Sequence, residues 1–122
     1  MVFAHNALQR ASNFAAVDIL KSWYHVLKPN GELHVFVPSM EWAAREILSE
    51  DPSPLTLIQL YGTQQNEDNF WLSGHTLRRL RIDMEEAGFT VEAAKVGYYV
   101  MSVNGKDERA EEHYVLGRKP GA

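Results

Sequence analysis

The stretch VLKPNGELHVFVP, Val26 to Pro38, decides how this chain is read. Lys28 suits the end of a helix, where the exposed carbonyls favour a cation. Pro29, Asn30 and Gly31 then stop the helix and turn the chain. From Glu32 to Val37 the pattern is that of a strand, with Leu33, Val35 and Val37 on one side and His34 and Phe36 on the other. One face is aliphatic and the other partly aromatic, so cover on both faces is expected, as for an interior strand of an α/β sheet. A helix passing through a short turn into such a strand is the second half of a βαβ unit, which requires an earlier parallel strand. Only Met1 to about Ala4 lies in place to supply it.

Working outward, Ser12 or Asn13 is expected to cap the preceding helix, because a short side-chain oxygen accepts from the free amides of the first turn. Val17, Leu20, Tyr24 and Leu27 recur at helical spacing, with Phe14, Ile19 and Trp23 widening the stripe. After Pro38, Met40 to Leu48 reads as a helix with Ala43, Ala44 and Ile47 on one side. Asp51 to Pro54 breaks it, and Ser53-Pro54 opens a short helix carrying Leu55, Leu57, Ile58 and Leu60, ended by Gly62. The segment Thr63–His75, TQQNEDNFWLSGH, is long for a plain connection and is a candidate lid. Thr76 opens a helix with Leu77, Leu80, Met84 and Ala87 inward and Gly88 as its left-handed terminator. Phe89 to Val103 reads as a long strand bent at Gly97. Asn104-Gly105 begins a hairpin turn, and Glu111 to Arg118 returns as a second strand. The tail KPGA is expected to be loose.

The expected order is short strand, helix, strand, helices, strand, strand, as one α/β domain over residues 1–122. Apolar residues make up 45% of the 122 and charged residues 23%, a balance that supports one modest core. The formal net charge is −4 with no basic block, so no nucleic-acid partner is expected. There is no cysteine, which excludes disulfides, thiolate metal sites and a cysteine nucleophile. No apolar run has membrane-spanning length, and MVFAHNALQR is not a signal peptide, so a cytoplasmic protein without a membrane partner is the expectation.

WYHVLKPNGELHVFVP resembles the "RVLKPGG–strand–P" signature of class I S-adenosylmethionine-dependent methyltransferases, of the broad type that modifies small molecules. TLRRLRIDMEEAGF, Thr76 to Phe89, is similar to the helix that leads into that family's closing hairpin. AHNALQ, Ala4 to Gln9, is similar to the segment that follows its fourth strand. The resemblance covers the family's second half only. It implies a partial Rossmann-like methyltransferase sheet: two parallel strands plus a C-terminal antiparallel hairpin, with flanking helices. The family's first half carries a glycine-rich loop and a ribose-binding acid. No G-x-G-x-x-G occurs here. Leu8, Gln9 and Arg10 stand where the family has an acid and a histidine, and Asn30 replaces the first glycine of the usual turn.

In that family the fourth strand lies beside the first. Met1 to Ala4 would therefore be a bare edge, and a bare edge invites pairing. The expectation is a homodimer through this N-terminal strand, the commonest closed assembly, or else a partner chain that carries the missing half. His5 and Asn6 fall at the carboxyl end of a parallel strand, the rim where open α/β sheets bind ligands. In the resembling family that segment lies near the transferred methyl, which makes His5 and Asn6 the cofactor-binding candidates. Ser39, Trp42, Tyr61, Phe70, Trp71 and His75 are the substrate-binding candidates, with Glu41, Gln64, Gln65 and Asn66 beside them; amides and aromatics suit a polar small molecule. His34 reads as a hydrogen-bonded strand residue and His25 as an exposed one. Glu111, Glu112 and His113 alternate in direction and cannot converge on a metal. Glu41, Glu46 and Glu50 read as a solvated helix face, and no catalytic residue is assigned.

The first reading is a methyltransferase-like domain without the principal cofactor site, a non-catalytic binding or dimerisation module that takes no cofactor in isolation. The alternative is a small-molecule methyltransferase that binds S-adenosylmethionine once completed by a second chain or by a missing N-terminal half.

Overall fold

Four strands form one mixed sheet in the order β1-β2-β4-β3, where β1 is Val2–His5, β2 Glu32–Pro38, β3 Thr90–Val103 and β4 Lys106–Arg118. The structure is a computed structural model and describes residues 1–121, apart from the side chain of Asp68. β1 runs parallel to β2, pairing Ala4 with Val35, while β2 is antiparallel to β4 and β4 to β3. β2 therefore has a partner on each side, and the short upstream strand it requires is present. That strand continues to His5 rather than stopping at Ala4.

Four helices complete the chain: α1 (Ala16–Val26), α2 (Met40–Ile47), α3 (Leu55–Tyr61) and α4 (Leu77–Glu86). The main core joins the aliphatic face of β2 to α1 and α4. Leu33, Val35 and Val37 are fully buried there with Leu20, Leu80, Met84 and Val115. A second cluster packs Trp42 and Ala43 of α2 and Leu55 of α3 against Ala110 of the hairpin.

Several expectations are corrected. Cover on both faces of β2 is not what the described residues show: α1 and α4 cover the aliphatic face, whereas His34, Phe36 and Tyr114 on the other are only half-buried and Phe3 is exposed. Ser12 and Asn13 do not cap α1, because a 3-10 turn over Asn13–Ala15 intervenes and no side chain caps the helix. Phe14 sits in that turn, out of phase with the helix, and is 100% exposed. On α2 it is Trp42 and Ala43 that turn inward, leaving Ala44 and Ile47 exposed. Leu57 of α3 is exposed as well. Glu41 and Glu46 are not merely solvated: Glu41 accepts from the Leu77 amide at 3.1 Å, and Glu46 from the Ser53 amide at 2.8 Å.

The hairpin differs in length and bend. β4 starts at Lys106 rather than Glu111, and Val103 pairs with Lys106 around Asn104 (φ 53°) and Gly105 (φ 78°). Two left-handed turn residues match the twist of paired strands. Once they set the register, backbone pairing carries the charged run Lys106–Glu112 through a strand its composition disfavours. The irregularity lies between Val91 and Ala93, not at Gly97, which pairs in register with Glu112. In the tail, Lys119 is held: its amide donates to Gly31 O and its ammonium to Leu27 O, both at 2.9 Å. Ala122 lies outside the described residues. No helix among the described residues is long and apolar enough to cross a membrane.

The Thr63–His75 segment is anchored at its far end. His75 bridges to Ser39 in parallel, and its carbonyl accepts the Met40 amide at 3.4 Å. Its ring is buried, with Nε2 at 2.8 Å from Ser73 Oγ. Burial, and then the charge of His113, push the His75 imidazole down to about 4.

Two predictions follow from this packing. Leu20→Ala should cost about 2–5 kcal/mol through the cavity it leaves, whereas Phe14→Ala should stay within about 0.5 kcal/mol; urea denaturation of both variants measures the contrast. The second concerns acid. The unfolded chain protonates His75 near its ordinary value while the folded chain does not, so stability falls as pH drops from 6.5 towards 4. The loss between about pH 7 and about pH 5 should be about 2 kcal/mol. His75→Gln should remove most of that slope, as read by denaturation at the two pH values.

Candidate functional site

The rim is formed where β1 and β2 end together. His5 pairs with Phe36, and Asn6 then turns away with φ 55° while its amide donates to Phe36 O at 3.0 Å. The His5 ring meets Phe36 edge-on at 5.0 Å, and its Nε2 lies 3.3 Å from Glu112 Oε2. Glu112 comes from β4, opposite Gly97. Its neighbour His113 faces the other side of the sheet, where Nε2 lies 3.0 Å from Glu41 Oε1. Burial works against the Glu41 charge, yet the Leu77 amide and His113 hold its carboxyl below the ordinary carboxylate value.

A hollow of about 390 Å³ opens beside this pair. His5, Asn6 and Arg10 bound it on the β1 side; Glu112, Tyr99 and Met101 come from the hairpin. Thr63, Gln65, Asn69 and Trp71 of the long loop close it, with Ile58 and Pro38 between. The loop is tied in place at both ends. The Trp71 amide donates to Tyr61 O at 3.0 Å, and the Leu72 and Ser73 amides both donate to Gln9 O. Asn13 Nδ2 donates to Gly74 O at 2.8 Å. Gly62 starts the loop with φ 78°, and a Cβ there would lie 2.1 Å from Asn69 O, so no other residue fits this closure.

Tyr99 is fixed by its hydroxyl, which donates to Gln59 Oε1; Gln59 Nε2 in turn donates to Glu111 O. Burial, and then the Glu112 charge, push the phenol up to about 12, so it stays neutral. The imidazole of His5 lies at the rim of the hollow against the Glu112 carboxylate.

The structure divides the residues singled out from the sequence. His5, Asn6, Gln65 and Trp71 line the hollow together. Tyr61 shares a neighbouring shallow hollow with Trp71, and Phe70 is 44% exposed and lines neither. Ser39 is fully buried and caps α2, accepting from the Trp42 amide at 3.0 Å. Trp42 packs into the second core cluster and His75 is buried behind the loop, so these three lie outside the hollow. Arg10, Tyr99 and Glu112 escaped the sequence reading. Strand alternation places Glu112 and Tyr114 on one face, but His5 and Glu112 lie 107 residues apart in sequence and meet only through the pairing of β4 with β2.

Below the rim, on the uncovered face, lies an aromatic surface. Phe3 is 60% exposed and stacks on His34 at 4.5 Å, and His34 stacks on Tyr114 at 5.8 Å. His34 is fully hydrogen-bonded, with Nδ1 at 2.7 Å from the Tyr114 hydroxyl and Nε2 at 3.0 Å from Glu32. The bond to His34, and then that to Arg118, hold the Glu32 carboxyl below its ordinary value. A hollow of about 310 Å³ sits over this surface, and Glu112 lines it as well as the rim hollow. On the helical side of β1 a smaller apolar groove runs between Val2, Trp23 and Val26. Among the described residues β1 pairs only with β2, so its outer edge is bare between two apolar surfaces.

No family model matches the chain, and no curated protein does. Solved structures do match. An S-adenosylmethionine-dependent methyltransferase of Methanosarcina mazei shares 15% identity over 98% of this chain and 58% of its own, with a TM-score of 0.64. An O-methyltransferase family protein of Burkholderia thailandensis shares 13% over 99% of this chain and 30% of its own, with a TM-score of 0.55. Human N-acetylserotonin methyltransferase, solved in complex with S-adenosylmethionine, shares 20% over 98% of this chain and 29% of its own, with a TM-score of 0.51. The chain thus spans less than two thirds of each of these proteins. It has a class I methyltransferase-like fold that matches the C-terminal part of such chains.

Proposed function

We propose that this chain is the acceptor-binding half of an S-adenosylmethionine-dependent methyltransferase, completed by polypeptide that supplies the rest of the sheet and the cofactor cradle. The observation that carries this reading is the rim hollow, with its His5–Glu112 pair, opening beside a strand edge that is bare and apolar on both sides. A sheet whose edge strand offers unpaired amides and carbonyls between two apolar surfaces gains by adding a strand there.

The residues present do not fit the cofactor by themselves. The 122 residues contain no glycine-rich loop of the kind whose bare backbone lets a nucleotide approach, and the polar groups of an adenosyl ligand would lose water without gaining partners. They do fit an acceptor. Ile58, Met101 and Trp71 give the hollow apolar walls, while Asn6, Thr63, Gln65 and Asn69 give it amides and a hydroxyl. His5 receives the proton that an acceptor hydroxyl must lose, and Glu112 orients the ring and steadies its charged form. The non-catalytic reading, in which two copies pair through β1, is favoured by the missing glycine-rich loop alone.

Calorimetric titration of the isolated chain with S-adenosylhomocysteine should give no binding heat in the micromolar range. Purified gently from its source cells, the chain should come with a polypeptide that carries a glycine-rich loop, and that assembly should transfer methyl from S-adenosylmethionine. His5→Gln should slow the assembly by about 10²- to 10⁴-fold. Micromolar cofactor binding by the chain alone, or an inert chain that sediments as a symmetric dimer, would defeat the proposal.

A further inference from the structure

We infer that the rim hollow selects a planar acceptor that carries an anionic group, a carboxylate, at a distance from the hydroxyl presented to His5. The inference rests on the reading of this hollow as the acceptor site and adds the chemistry of what enters it. Arg10 carries the argument. It ends the 3-10 turn Leu8–Arg10 and lines the hollow, yet among the described residues its guanidinium makes no ion pair or hydrogen bond. Arg45, Arg79 and Arg118 are engaged, with Glu111, with Asp83, and with Glu32 and Glu92. Arg78 and Arg81 on α4 also lack such a bond among the described residues, but they lie away from the rim hollow, and Arg10 is the arginine that lines it.

The turn that bears Arg10 is fixed rather than loose. Leu8 and Gln9 are buried, and the Gln9 carbonyl accepts from Leu72 at 2.8 Å and from Ser73 at 3.2 Å. The backbone that carries Arg10 is therefore fixed at the mouth by the same contacts that close the loop. A guanidinium so placed offers a planar pair of donors that match a carboxylate, and such charge-assisted bonds are stronger than neutral ones. Thr63 adds a buried hydroxyl that has no partner among the described residues, so a bound ligand can use it.

The opposite charge in the hollow does not cancel this. Glu112 is already engaged with His5 at 3.3 Å and lies close enough to raise the Tyr99 phenol, so the acidic corner calls for a proton donor. A ligand that meets both demands has a hydroxyl for His5 and Glu112 and an anion for Arg10. Between them the Trp71 ring and the Met101 and Ile58 side chains favour a flat apolar body, and about 390 Å³ suits one ring system. Hydroxylated aromatic acids have this form.

The test uses p-hydroxybenzoate and its uncharged counterpart p-hydroxybenzamide, titrated into the full chain and followed by nuclear magnetic resonance of the Trp71 indole and His5 ring signals. The acid should shift both sets of signals and bind at least about ten-fold more tightly than the amide. Arg10→Met should weaken the acid more than the amide and so abolish that preference. Arg10→Glu should reverse it. Arg10 is exposed, so neither variant removes core packing. Equal affinity of the two ligands at Trp71 and His5 would overturn the charge selection and leave the acceptor site standing. Absence of any shift at those residues, with either ligand, would overturn both.

Discussion

The backbone pairing of β2 on both its edges is the constraint on which the molecule depends. All seven of its residues pair with β4, and four residues of β1 pair with it on the other side. A buried strand cannot leave its amides and carbonyls without partners, so β1 and β4 must be where they are. Their positions bring His5 and Glu112 to one corner. Breaking that pairing would not merely loosen an edge; it would separate the two residues that define the rim. The aliphatic face follows from the same strand, since Leu33, Val35 and Val37 all reach the core only in this register.

How much of this was legible in the sequence varies with how local the signal is. The turn Lys28–Gly31, the strand after it, the left-handed Gly88 and the Asn104-Gly105 hairpin each depend on a few adjacent residues, and each lies where it was read. What was missed depends on distant contacts. Phe14 has the right spacing for a helical stripe but sits in a turn whose partner, Gly74, is 61 residues away. His34 and Phe36 looked like residues under a second layer. They are instead sheltered in part by Tyr114, whose ring stacks on His34 and tilts against Phe36.

The site was legible to the same degree. Position at the rim of the expected parallel sheet pointed to His5 and Asn6, and the unusual length of the Thr63–His75 loop pointed to Trp71; all three line the rim hollow. Ser39, Trp42 and His75 occupy the correct rim but face inward, because a helix cap, a core cluster and a strand bridge claim them first. Arg10 gave no sign of itself. Its meaning comes from lining the hollow without an ion pair or hydrogen bond among the described residues, and a placement of that kind is a property of the fold and not of a motif.

The two hollows on the open face are not independent. Glu112 lines both: at one end it holds His5, and at the other it borders the aromatic surface of Phe3, His34 and Tyr114. Polypeptide that covered the aromatic surface would exclude water from one flank of the Glu112 carboxylate. The hydrogen-bond partner left to that carboxylate at the rim is the His5 ring. On the proposed reading, then, the polypeptide that completes the sheet also encloses the His5–Glu112 pair. On that reading the bare edge of β1 is part of how the site is built, because the carboxylate paired with His5 also borders the surface that added polypeptide would cover.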